Sequence, residues 1–131
     1  MKEPPRINDI NELAPYLVPR VLTILSQMRE HGYDPIVIET RRSIARQRYL
    51  YGQGRTKWQC ARAGISPLYA RKGNVVTWTL KSNHATGKAV DIISKRNGYN
   101  ESAFFKALKK EAELQGMHTL PLEACHIEWR G

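Results

Sequence analysis

A carboxylate set inside a run of apolar, strand-forming residues constrains this chain more than any other feature. Asp91 interrupts Ala89-Val90-Asp91-Ile92-Ile93. A charge buried there without a partner is too costly to keep, so the fold must bring Asp91 to a cation or a metal. Seven residues earlier stands His84, with Gly87 between the two. On a straight strand, positions seven apart face opposite sides. Both reach one point only if the chain bends between them, and a glycine supplies that bend. Near the C-terminus comes a second cluster, Glu123-Ala124-Cys125-His126-Ile127-Glu128-Trp129. Two imidazoles and a carboxylate form a ligand set of catalytic zinc, which keeps a fourth position for water. His84, Asp91 and His126 are therefore the candidate ligands of one zinc per chain, provided the two clusters meet.

Cys125 competes with His126 for the third place. Adjacent strand residues point to opposite faces, so the two cannot easily share an ion. A Cys-containing set would also want a Cys-x-x-Cys partner, which is missing. Cys125 reads instead as a small buried hydrophobe. With only Cys60 beside it there is no disulfide framework. Glu128 lies two residues past His126, on the same strand face, where it can orient a ligand. His31 follows a helix end and reads as structural. His118, in the loop Gly116-Met117-His118-Thr119, is a candidate for a role beside the site.

At 131 residues the chain has room for a single catalytic domain. The net charge of +9 is spread along the sequence, which favours an anionic partner such as nucleic acid, a membrane surface or an envelope polymer. No basic run interleaved with aromatics marks a nucleic-acid platform, so none is expected as a partner. The N-terminus, Met1-Lys2-Glu3-Pro4-Pro5-Arg6, lacks the apolar core of a signal peptide, and no stretch reaches membrane-spanning length. Synthesis in the cytoplasm, without an export signal, is the expectation.

Residues 1–10 read as a lead-in. Val18, Val21, Leu22, Leu25 and Met28 recur at helical spacing, with Pro19 suited to the first turn and Gly32 to the exit. Pro35–Thr40 predicts a strand, and Ser43 caps a helix running to about Tyr51. Helical turns are expected around 57–63, a strand at Val75–Thr79 and another at Lys88–Ser94. Ser102 or Asn100 caps a helix to about Gln115 with Phe105, Leu108 and Ala112 on one face, and Ile127 and Trp129 mark a last strand. Trp78 reads equally well as core or pocket wall. Helices and strands mix without regular alternation. The fold class is α+β, a small and mostly antiparallel sheet flanked by helices.

Three blocks carry a family resemblance. Ser82-x-His84-x-x-Gly87-x-Ala89-x-Asp91, the later Glu123-x-x-His126, and upstream Arg42-Ser43, Gln47, Leu50-Tyr51 and Gln53-Gly54-Arg55-Thr56 stand in order. Together they resemble the zinc peptidases that cleave peptidoglycan stem peptides. These comprise D-alanyl-D-alanine carboxypeptidases and dipeptidases, and the L-alanyl-D-glutamate endopeptidases that many phages use as endolysins. The resemblance spans roughly residues 10 to 130, with 55–73 similar to an expanded version of a short link.

It implies that Glu123 is the general base and that Arg42 faces the reacting carbonyl or a substrate carboxylate. Ser82 and Gln47 would position the site. Glu123 stands where many endolysin-type members have Asp, and the Trp-Gly-Gly-x-Trp type of segment common among them is missing. The reading is thus a phage-type endolysin with L-alanyl-D-glutamate endopeptidase activity, a monomer acting on bacterial peptidoglycan after its release. A D-alanyl-D-alanine carboxypeptidase or dipeptidase is the alternative. A basic nucleic-acid-binding protein without catalysis is the alternative from another class.

Overall fold

The computed structural model describes residues 1–121 and 123–130. Helix α1 (Val18–Glu30) carries Pro19 in its first turn, where the missing N–H costs no hydrogen bond, and buries Val21, Ile24, Leu25 and Met28. Strand β1 (Pro35–Glu39) follows. The Ser43 hydroxyl accepts from the Arg46 N–H at 3.1 Å and starts α2 (Ile44–Gly52). Helix α3 (Lys57–Arg62) opens with a reciprocal cap between Thr56 and Gln59. Then come β2 (Ala89–Ser94), α4 (Ser102–Leu114), β3 (His118–Leu120) and β4 (Glu123–Glu128).

The four strands form one antiparallel sheet in the order β1-β2-β4-β3. Alternation along β2 and β4 divides their residues between two faces. Val90, Ile92 and Ile127 enter the core with α1 and α4, built around Leu17, Ile24, Met28, Phe104 and Leu108. Asp91 and His126, paired across β2 and β4 in register, therefore belong to the face away from those helices. That face holds the site.

Five expectations need correction. Residues 75–79 form no strand. Backbone around Thr79 bonds to side chains instead: the Thr77 hydroxyl accepts from Thr79 N–H, the Thr79 hydroxyl accepts from Lys81 N–H, and Gln47 Nε2 donates to the Thr79 carbonyl at 2.7 Å. Helix α4 begins after Glu101 with no side-chain cap, so neither Asn100 nor Ser102 plays that part. Its fully buried aromatic is Phe104, in line with Leu108, Glu111 and Ala112. Phe105 is turned about 100° from that stripe and sits half-buried against Phe104, edge to face at 5.1 Å. His118 stands on β3, an edge strand, rather than in a loop. Trp129 lies just past β4, giving its N–H to the Lys88 carbonyl and its ring to Arg20 and Tyr16.

Candidate metal centre and its cleft

Local chemistry places His84. Ser82 starts a short 3-10 turn, Asn83–Thr86, by accepting from the His84 N–H, and Gly87 ends it in the left-handed region at φ 71°. A Cβ at Gly87 would sit 2.9 Å from Ala14 N and 3.0 Å from Glu12 O. Only glycine meets both the torsion and the close approach. The turn brings His84 Nε2 to 3.1 Å from Asp91 Oδ1, and the neighbouring strand brings His126 Nδ1 to 3.2 Å from the same oxygen. The two imidazole rings lie edge to face at 5.0 Å.

Each ring has its far nitrogen committed. His84 Nδ1 lies 2.6 Å from the Thr40 carbonyl, which can only accept, so that nitrogen carries the proton. His126 Nε2 lies 2.8 Å from a Glu128 carboxylate oxygen, and the same argument protonates it. Glu128 is held in turn by Asn83 and Arg130. Both remaining lone pairs thus converge on Asp91. The three donor atoms lie within 4.8 Å of one another. Three electron-rich atoms in one buried spot need a positive charge among them, either a proton or a metal. The donors, their convergence and the outer hydrogen bonds fit zinc. Cys125 is not in the group.

The electrostatics follow. Burial would raise the Asp91 carboxyl, but the imidazoles of His126 and His84 beside it hold it well below the usual carboxylate range. For His126, burial works against the charged form and is overcome by the bond to Asp91 and by Glu128 and Glu123 nearby. The Cys125 thiol is pushed up to about 12 by burial and by the charges of Asp91 and Glu123, which makes it an inert neighbour.

Around the group runs a cleft of about 1160 Å³ whose walls include Arg42, Trp78, Ser82, Tyr99 and Glu123. Glu123 opens β4 and is exposed to this cleft. Three residues along a regular strand would turn it away from His126. The pairing of β3 with β4 is irregular here, Leu120 facing Glu123 where Thr119 faces Ile127, and this frees Glu123 from that alternation.

Arg42 Nη2 donates to Glu39 at 2.6 Å and lies 4.0 Å from Asp91, while Nη1 donates to Gln47 at 2.9 Å. Its Nε is buried without an acceptor. Gln47 thereby ties Arg42 to the 77–79 wall. His118 is exposed and does not line the cleft.

Sequence reasoning missed three residues. Glu39 clamps Arg42 and Arg46 together, the latter at 2.7 Å, and sits low in pKa because those guanidiniums outweigh its burial. Thr40 holds His84 through its carbonyl, and Asn83 holds Glu128. Glu39 had a signal, since it ends an apolar strand just as Asp91 interrupts one. Thr40 and Asn83 had none, because a backbone carbonyl and a loop amide look like any other.

The comparisons agree with this geometry. The sequence profile of the family described as VanY, D-alanyl-D-alanine carboxypeptidase, matches residues 10–121. No curated protein sequence matches the chain. Among solved structures, the fold is similar to the L-Ala-D-Glu endopeptidase ChiX of Serratia marcescens, with TM-score 0.57 and 23% identity over 95% of this chain and 90% of that one. It is also similar to VanYB in complex with D-alanine-D-alanine, with TM-score 0.65 and 19% identity over 91% and 72%. A variant of the D,D-pentapeptidase VanY from a VanB-type resistance cassette, in complex with Zn(II), gives TM-score 0.62 and 16% identity over 91% and 73%. With the profile spanning most of its length and a three-ligand metal group in its cleft, the chain belongs to the VanY family of peptidoglycan metallopeptidases.

Proposed function

We propose that the chain is a zinc-dependent endopeptidase that cuts peptidoglycan stem peptides between L-alanine and D-glutamate, as an endolysin of the phage type does. The observation that carries the hydrolytic reading is the convergence of His84 Nε2, His126 Nδ1 and Asp91 Oδ1 at the floor of an open cleft. His84, Asp91 and His126 would hold the ion. When bound, zinc supplies a Lewis acid that brings the pKa of its water towards ~7 and polarises a carbonyl.

Glu123 accepts the proton of the attacking water and returns it to the leaving amine. Arg42, fixed by Glu39 and Gln47 with its Nε–H unspent, offers a preorganised positive charge to the oxyanion as it forms. Thr40 and Glu128 keep both imidazoles in the tautomer that presents a lone pair. The endopeptidase bond is favoured by the similarity to ChiX, an L-Ala-D-Glu endopeptidase. The family description favours the second reading, a D-alanyl-D-alanine carboxypeptidase.

Digestion of purified peptidoglycan, with the products identified by mass spectrometry, separates the two. New D-glutamyl amino termini are expected, and release of free D-alanine without them replaces this reading with the second. Within either chemistry, Glu123→Ala keeps its metal and fold and loses about 10²–10⁴-fold in turnover. His126→Ala loses metal and turnover together. Full metal occupancy in His126→Ala, or an active Glu123→Ala, removes these roles.

A further inference from the structure

The cleft contains three arginines, and only two of them are spent. Arg42 and Arg46 are both engaged by Glu39. Arg6 lines the same cleft, is exposed, and has no carboxylate partner among the described residues. Its charge is felt at the Tyr99 hydroxyl and the Cys125 thiol, two groups of the same cleft.

A lone surface arginine would ordinarily carry no argument. This one is mounted on backbone that is pinned on both sides. Arg46 donates to the Pro4 carbonyl at 3.1 Å, and the Thr40 N–H and hydroxyl both reach the Ile7 carbonyl, at 2.7 and 3.1 Å. The Thr40 hydroxyl also bonds the Asp9 carbonyl at 2.9 Å. The lead-in is thus a strap that meets the cleft at Arg6, anchored by the residue whose carbonyl holds His84. A guanidinium carried on pinned backbone and left without a carboxylate partner beside a peptide-sized cleft is equipped to take a carboxylate in a bidentate grip.

We infer that Arg6 is a specificity residue that binds a free carboxylate of the stem peptide. This rests on the proposed function, which supplies such a group: D-glutamate uses one carboxyl in the chain and leaves the other free. Amidation of that carboxyl removes the charge and replaces an acceptor with a donor, so the amide is the natural competitor against which Arg6 discriminates.

The test uses two synthetic stem peptides, identical except that D-glutamate carries a free carboxylate in one and a carboxamide in the other. Their affinities for Glu123→Ala are measured by calorimetry, and their kcat and KM on the unsubstituted enzyme. The carboxylate peptide is expected to bind about 10- to 100-fold more tightly. In Arg6→Ala the preference disappears through KM with kcat kept, and in Arg6→Lys part of it returns. Thermal unfolding of Arg6→Ala should match the parent, because the side chain makes no hydrogen bond. A preference that survives in Arg6→Ala overturns the inference. So does its equal loss in Lys81→Ala, another cleft cation, since that would be the work of diffuse potential. Binding is read where no bond is cut, so the two proposals fail separately. Discrimination by Arg6 together with cleavage at another bond leaves Arg6 standing and removes the endopeptidase reading.

Discussion

The two walls of the cleft are built by different physics. On one side, β2 and β4 carry Asp91 and His126 out of a sheet whose other face is packed against α1 and α4. The imidazoles of His84 and His126 there are oriented by Thr40 and Glu128, and Glu128 is itself held by Asn83 and Arg130. On the other side, α2 and residues 75–79 line the cleft, and this region, with α3 and residues 67–74, exposes Trp58, Leu68 and Trp78, the last at 83% of its surface. That side is knit by side-chain bonds to backbone and by arginines stacked on aromatics: Arg55 on Tyr51 and Trp78, Arg71 on Tyr49. The contrast separates tasks. A metal centre needs its ligands fixed by packing, whereas a wall that meets substrate needs only enough order to present its surface.

The comparison breaks most sharply at Glu39, which belongs to the rigid side and reaches across to α2. Glu39→Gln leaves Arg42 and Arg46 buried without their carboxylate, and should cost about 3–5 kcal/mol at neutral pH. The sign with pH is fixed by the direction of the shift. The Glu39 carboxyl titrates lower in the folded chain than the ordinary value of 4.5, so its contribution is full above that value. It is lost as pH falls through the folded pKa. Urea unfolding across pH should therefore show a flatter acid limb in Glu39→Gln, and an unchanged limb would deny Glu39 this part.

A smaller effect is expected at Glu128, which braces His126 without being one of the three donors. Glu128→Ala should weaken metal affinity about 10- to 100-fold, read by competition with a chelator, with turnover recovered when metal is added. Smallest of all, Trp78→Ala should shift unfolding free energy by no more than ~0.5 kcal/mol and show itself in KM. A large loss of stability there would mean that the outer wall is core after all.

What the sequence made legible follows the same division. Asp91, His84 and Gly87 could be read because each breaks a local rule: a charge in an apolar strand, a histidine out of phase with it, a residue free to turn left-handed. The cap at Ser43 was legible for a similar reason, since its partner lies within three residues. Val75–Thr79 misled because β-branched composition reports only what the side chains tolerate, and here the backbone bonds went to hydroxyls and to Gln47 from 32 residues away. Strand β3 was invisible because three residues at a sheet edge carry too short a pattern. The strap escaped notice since its order comes from Thr40 and Arg46, far along the chain.

The strand order has a bearing on how the molecule comes together. His84 and Asp91 are near neighbours in the chain, so their half of the centre can assemble from a local turn and one strand. His126 arrives only when β4 inserts between β2 and β3, closing a loop of 35 residues to Asp91. An ion that requires all three ligands therefore favours the chain with that last strand seated over any form in which it hangs free, by mass action alone. The metal would act as a latch on the final step of assembly, and chelation would loosen the C-terminal strand before it disturbed the packing of α1 against α4.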